Sequence, residues 1–83
     1  MFIRPANDAI AVHWNQFAYP VRTAVTGTMV VQEADRTHTI DLSQPELRNG
    51  QMLYRTQSSN ANFRLEVALP DSRTVSETVS WQR

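Results

Sequence analysis

Asn62-Phe-Arg-Leu-Glu-Val-Ala-Leu69 alternates without a break: Phe63, Leu65, Val67 and Leu69 fall on one side, and Arg64, Glu66 and Ala68 on the other. Successive side chains of a strand point to opposite faces, so a period of two with bulky apolar residues on one side marks a half-buried β-strand. The opposite side alternates charge at Arg64 and Glu66, which suits a solvated outer surface or a cross-strand ion pair. The stretch is expected to sit centrally, with other strands covering its apolar face. Pro70-Asp-Ser-Arg73 then reads as a turn, and Thr74 to Gln82 as a final strand with Val75, Val79 and Trp81 on one face, interrupted by Glu77. The two strands form the predicted C-terminal hairpin.

Working back toward the N-terminus, the same alternation recurs. Ile10, Val12 and Trp14 alternate with Ala11 and His13, which predicts a strand with the indole at its inward end. Val21 to Val31 reads as one long β-branched strand, with Val25, Gly27, Met29 and Val31 on one face. Gly27 inside that run implies a bulge or the close approach of a bulky neighbour such as Trp14. A polar turn, Gln32 to Arg36, leads into a strand over Thr37 to Leu42 with Ile40 and Leu42 inward, so 24–31 and 37–42 form a second predicted hairpin. Ser43-Gln-Pro-Glu-Leu47 has capping-box spacing for one helical turn, closed by Asn49-Gly50. Gln51 to Arg55 is a short strand and Gln57 to Ala61 a polar loop. Met1 to Pro5 fits an edge strand, where Pro5 is tolerated, followed by a turn at Ala6-Asn7-Asp8. Asn15 to Pro20 reads as a loop carrying Phe17 and Tyr19. About seven short strands with no long helix predict an all-β, antiparallel β-sandwich, a single domain over residues 1–83 whose residues 1–8 supply the edge strand and turn.

The composition is that of an ordinary globular domain, 41% hydrophobic and 19% charged. Eight basic residues balance eight acidic ones, so no bulk charge recruits nucleic acid or an anionic membrane. Every basic residue is Arg, and their scatter from position 4 to 83 reads as compositional bias rather than a built Arg interface. Cysteine is absent, which excludes disulfides and thiolate metal sites. No apolar run reaches membrane-span length, and residues 1 to 15 carry no signal-peptide apolar segment; an exported native protein would therefore contain this sequence within a longer chain.

Several motifs resemble the fibronectin type III and immunoglobulin-like group. They are Trp14 at the end of the second strand, the Leu47-x-x-Gly50 turn ahead of Tyr54, and the final hairpin. The resemblance implies a centrally packed Trp14 and a tyrosine that hydrogen-bonds back across a corner. Tyr54 lies four residues after Gly50 where the pattern has three, so either a bulge absorbs the difference or Tyr54 ends a separate strand. The chain also resembles, over roughly residues 10 to 80, a fibronectin-like module that recurs in uncharacterised acidobacterial proteins. That match rests on Trp14, Thr23-Ala-Val-Thr-Gly27, Leu47-Arg-Asn-Gly50, Leu53-Tyr54, Phe63-Arg-Leu-Glu-Val67 and Ser76-Glu-Thr-Val79. It implies an extracytoplasmic setting and carries no activity.

The residues offer little catalytic chemistry. His13 lies on the outward face of its strand, and His38 and Asp41, three apart, face opposite sides, so neither histidine has metal or catalytic partners at useful spacing. Ser43, Ser58 and Ser59 lack a nucleophile elbow, and two glycines cannot build a phosphate cradle. Asp35, Asp41 and Asp71 form no calcium loop. The expectation is a non-enzymatic module with no catalytic residues, cofactor or metal, serving as a spacer, adhesion or protein-interaction domain. Phe17, Tyr19 and Trp81 are the candidate interaction surface, for a protein partner or, alternatively, for carbohydrate stacking. A third reading is self-association by strand addition at the edge near Phe2, Ile3 and Pro5.

Overall fold

The computed structural model describes residues 1–56 and 58–82, so Gln57 in the predicted 57–61 loop lies outside the described residues. In chain order the elements are β1 (Phe2–Ala6), β2 (Ala9–His13), α1 (Tyr19–Thr23), β3 (Thr26–Glu33), β4 (Arg36–Leu42), α2 (Gln44–Asn49), β5 (Gln51–Tyr54), β6 (Asn60–Ala68) and β7 (Thr74–Gln82). They build an antiparallel β-sandwich: a three-stranded sheet ordered β1-β2-β5 faces a four-stranded sheet ordered β4-β3-β6-β7. The alternating stretch sits where expected, as β6 between β3 and β7. Phe63, Leu65, Val67 and Leu69 are buried, and Arg64 reaches along the same strand to Glu66, Nε to Oε1 at 2.7 Å, instead of across to a neighbour. Both expected hairpins form, β3–β4 and β6–β7, and β1 is an edge strand carrying Pro5.

The core runs between the sheets through Val12, Met29, Val31, Leu47 and Phe63, all essentially inaccessible. Trp14 follows β2 directly and is buried, its indole Nε1 donating to the Leu47 carbonyl at 2.8 Å while its backbone N–H donates to Gly50 O at 3.0 Å. Those two bonds fasten α2 to the end of β2. The helix itself starts as its spacing predicts: the Ser43 hydroxyl accepts from Glu46 N–H, and the Glu46 carboxylate accepts from Ser43 N–H. Gly50 closes it in the left-handed conformation at φ 80°. A side chain at Gly50 would also strike Gln16.

Two expectations need correction. The long strand over Val21 to Val31 begins only at Thr26, because residues 19–23 coil into the single turn α1. Pro20 has its φ preset for a helix start and lacks the N–H a strand would use, and the Thr23 hydroxyl donates to Tyr19 O at 2.7 Å. Burial of Val21 then holds the turn against the core, so the tertiary contact overrides the β-branched run. Val25, lying ahead of the sheet, is half exposed instead of inward. Gly27, in turn, marks no bulge, since the register with β6 runs unbroken past it and it pairs with Leu42 of β4. The bulky neighbour is Leu47, not Trp14: a Cβ at position 27 would stand 2.6 Å from Leu47 Cδ2.

Candidate functional site

The end of the sandwich where α1 lies differs from the other end. Asn15 accepts from Phe17 N–H at 3.0 Å through its side-chain oxygen, a local turn that throws the Phe17 ring outward. With Val21 anchored inward, Tyr19 on the opposite side of the turn also projects, and the two rings are 75% and 60% exposed. Val25 and Val75 lie exposed at the same end. Four of the six large exposed apolar residues among those described are therefore gathered there; Phe2 and Leu53, on the outward face of the three-stranded sheet, are the other two.

A shallow apolar groove lies between α1 and the β6–β7 edge of the four-stranded sheet. Pro20 and Val21 form one wall, Val75 and Glu77 the other, with Leu65 and Val67 as floor. Its volume is about 80 Å³, well below the roughly 300–1,000 Å³ of small-molecule sites. A groove this small has room for about one side chain.

Of the three residues singled out from sequence, Phe17 and Tyr19 share this end and Trp81 does not. Trp81 pairs with Ala61 near the C-terminal end of β7, half buried beside Asn7, Asp8 and Thr56. Six residues of strand separate it from Val75, on the order of 20 Å. One aromatic platform built from all three does not form.

The histidines and Tyr54 occupy other places. His13 stacks flat on Phe2, ring centroids 4.7 Å apart, with the Arg4 guanidinium over the Phe2 ring. At the far end from α1, Glu33 is the only buried charged residue among those described. Its carboxylate accepts from the Tyr54 hydroxyl at 2.8 Å and from the Thr56 hydroxyl, and His38 Nε2 stands 4.0 Å away. Tyr54 thus ends its own strand, β5, and its hydroxyl bonds to a side chain of the opposite sheet. Burial of the ring, followed by the Glu33 hydrogen bond and charge, pushes the phenol up to about 12, partly offset by Arg36. A phenol that holds its proton so firmly is a donor at neutral pH, neither base nor nucleophile. The cluster ties the sheets together at this end. Glu33 was legible in principle, since it continues the inward parity of Met29 and Val31; reading 32–36 as a polar turn concealed it.

Among the described residues no three His, Asp or Glu side chains converge to hold a metal, and no helix is long and apolar enough to cross a membrane. Compared with known proteins, the chain matches no family model, no curated protein and no solved structure.

Proposed function

We propose that this chain is a non-enzymatic module of the fibronectin type III and immunoglobulin-like kind, docking a protein partner with the end that displays Phe17 and Tyr19. The observation that carries the reading is the concentration of exposed apolar side chains around the groove at that end. Rigid aromatic rings beside a side-chain-sized hollow are what protein interfaces use as anchors, because they bury much area at small entropic cost. The strand order supports the immunoglobulin-like assignment. β1, β2 and β5 stand where strands A, B and E stand in that architecture, and β3, β6 and β7 stand where C, F and G stand, with β4 as the added C′ strand. Tyr54, whose phenol is pushed up to about 12, is held as a proton donor to Glu33, which supports a non-enzymatic role.

A photoreactive phenylalanine analogue placed at position 17 tests the reading. In extracts of the source cells it should crosslink to a defined protein, whereas the same analogue at Thr39 on β4 should not. Equal labelling from both positions, or none from position 17, overturns the proposal. A polysaccharide panel monitored by tryptophan fluorescence is the companion measurement, and a saturable response there would move the assignment to carbohydrate.

A further inference from the structure

Every sandwich of this kind has four sheet edges, and three of them here are blunted. β1 is five residues long with Arg4 and Pro5 in it, β5 is four residues, and β4 carries Arg36, His38 and Asp41. Short strands, proline and charge are the devices that keep edges from pairing. β7 is the least protected of the four: it is neither short nor interrupted by proline, and its one charge, Glu77, lies on the core-side face and is paired with the Met1 amino group. It is nine residues long, Thr-Val-Ser-Glu-Thr-Val-Ser-Trp-Gln, with one charge and no proline, and it closes the four-stranded sheet.

The hydrogen-bond phase of β7 can be read from its neighbours. Leu69 N–H donates to Arg73 O at 2.8 Å across the hairpin, and Ala68 O accepts from Val25 N–H at 2.8 Å on the β3 side. Antiparallel ladders alternate, so Val75, Glu77, Val79 and Trp81 direct their backbone groups toward β6. Thr74, Ser76, Thr78, Ser80 and Gln82 direct theirs to the open side. The unused row carries four hydroxyls and the Gln82 amide, and those five residues are also exposed.

We infer that β7 pairs with β7 of a second copy, antiparallel about a two-fold axis through Thr78. Only registers that bring outward-pointing residues opposite one another can bond. The register centred on Thr78 uses the whole strand: Thr78 meets Thr78 of the partner copy, Ser76 meets Ser80, and Thr74 meets Gln82. It forms about ten backbone hydrogen bonds. On the other face, Val75 stands opposite Trp81 and Glu77 opposite Val79. Shifting the axis to residue 77 would instead oppose the two Glu77 carboxylates at the closest cross-strand approach, which is unfavourable. Self-complementarity therefore selects the occupant: Thr78 faces Thr78 and Ser76 faces Ser80, Val75 faces Trp81, and no like charges stand directly opposite, Glu77 lying beside Val79. The inference does not rest on docking at Phe17 and Tyr19, although Val75 and Glu77 of β7 also form one wall of that groove.

Sedimentation of the purified chain over a concentration series is the test, with Thr78→Pro as the variant. The wild type should pass from 9.5 kDa to twice that mass. Because the Thr78 amide faces away from β6, proline there leaves the hairpin ladder intact, and the variant should keep the native circular dichroism while its dimer dissociation constant rises at least about tenfold. Amide exchange supplies a readout that needs no variant: Ser76, Thr78 and Ser80 amides should become protected as the dimer fills. A wild type that stays monomeric at millimolar concentration overturns the inference. So does a folded Thr78→Pro protein that dimerises as before, or a dimer whose Thr78 amide exchanges freely. If Thr78→Pro fails to fold, the wild-type exchange data decide in the same way.

Discussion

Replacing Gly27 by alanine probes the contact that joins α2 to the four-stranded sheet. The new methyl would lie 2.6 and 2.9 Å from the two Leu47 methyls and 3.1 Å from Cγ. Leu47 has little room to retreat: it is 1% exposed, its carbonyl is held by the Trp14 indole, and the capping box fixes the helix that carries it. Overpacking of this kind costs about 1–3 kcal/mol. Working against it, removing a glycine from the unfolded chain stabilises by about 0.4–1 kcal/mol. The steric loss wins, leaving a net cost of about 1–2 kcal/mol. For a domain this small, each kcal/mol moves the midpoint by about 4–8 °C, so thermal unfolding followed by circular dichroism should fall by about 5–15 °C. Leu47→Ala alone should cost about 2–5 kcal/mol through the cavity it opens. In the double variant the methyl introduced at position 27 no longer collides with Leu47 and partly fills that cavity. The two changes should then couple by at least about 0.5 kcal/mol, the double variant being less destabilised than the sum. Additive losses, or a Gly27→Ala protein as stable as the parent, would refute the close-approach reading of Gly27.

Tyr54→Phe removes a donor from buried Glu33 and should cost about 1–3 kcal/mol in urea unfolding. The phenol titrates higher in the folded state than in the unfolded chain, so its contribution is complete below about pH 10 and disappears as pH rises toward about 12. The parent should therefore lose stability across that alkaline window, and Tyr54→Phe should flatten the loss. Ser43→Ala breaks the capping box and should lower stability by about 0.5–2 kcal/mol. The Glu46 carboxyl is held low chiefly by the Ser43 N–H and then by its hydroxyl, so the capping contribution is present above the carboxylate range and fades as pH falls through it. Ala34→Gly, at the β3–β4 turn where φ is 47°, should raise the melting temperature by a few degrees, since a non-glycine residue pays about 1–2 kcal/mol in that region.

What the sequence discloses here is the part of the fold that depends on near neighbours. Phe63 through Leu69 alternate because the pleat does, and Ser43 with Glu46 specifies a helix start within four residues. The Thr74–Gln82 boundaries come out unchanged for the same reason. Tyr19 to Thr23 was illegible as a turn because its stability comes from burying Val21 beneath β6 and β7, a contact between residues more than forty positions apart. The partner of Gly27 was equally hidden, for Leu47 reaches it only once α2 is fastened by Trp14. The aromatics followed a similar course. Composition could count them, but only the topology separates Trp81 from Phe17 and Tyr19 by the length of β7.

That separation also bears on how docking and self-pairing would combine. The strands of the two copies run in opposite directions through Thr78, so Val75 of one stands beside Trp81 of the other. The two open ends then lie at opposite extremes of a shared β7 ladder, about 30 Å apart for nine residues of strand. Trp81 of each copy comes to the Val75 rim of the other's groove, and the pair presents two identical ends, each with its own Phe17 and Tyr19 rings. A partner displayed in several copies would engage both, the second binding event becoming intramolecular and raising apparent affinity with no new contact. Thr78→Pro should therefore weaken binding to an immobilised, closely spaced partner far more than binding to the same partner free in solution. Surface plasmon resonance at high and low partner density separates the two. A loss of equal size at both densities would mean that Thr78 acts on the docking end itself, and the bivalent arrangement would fall.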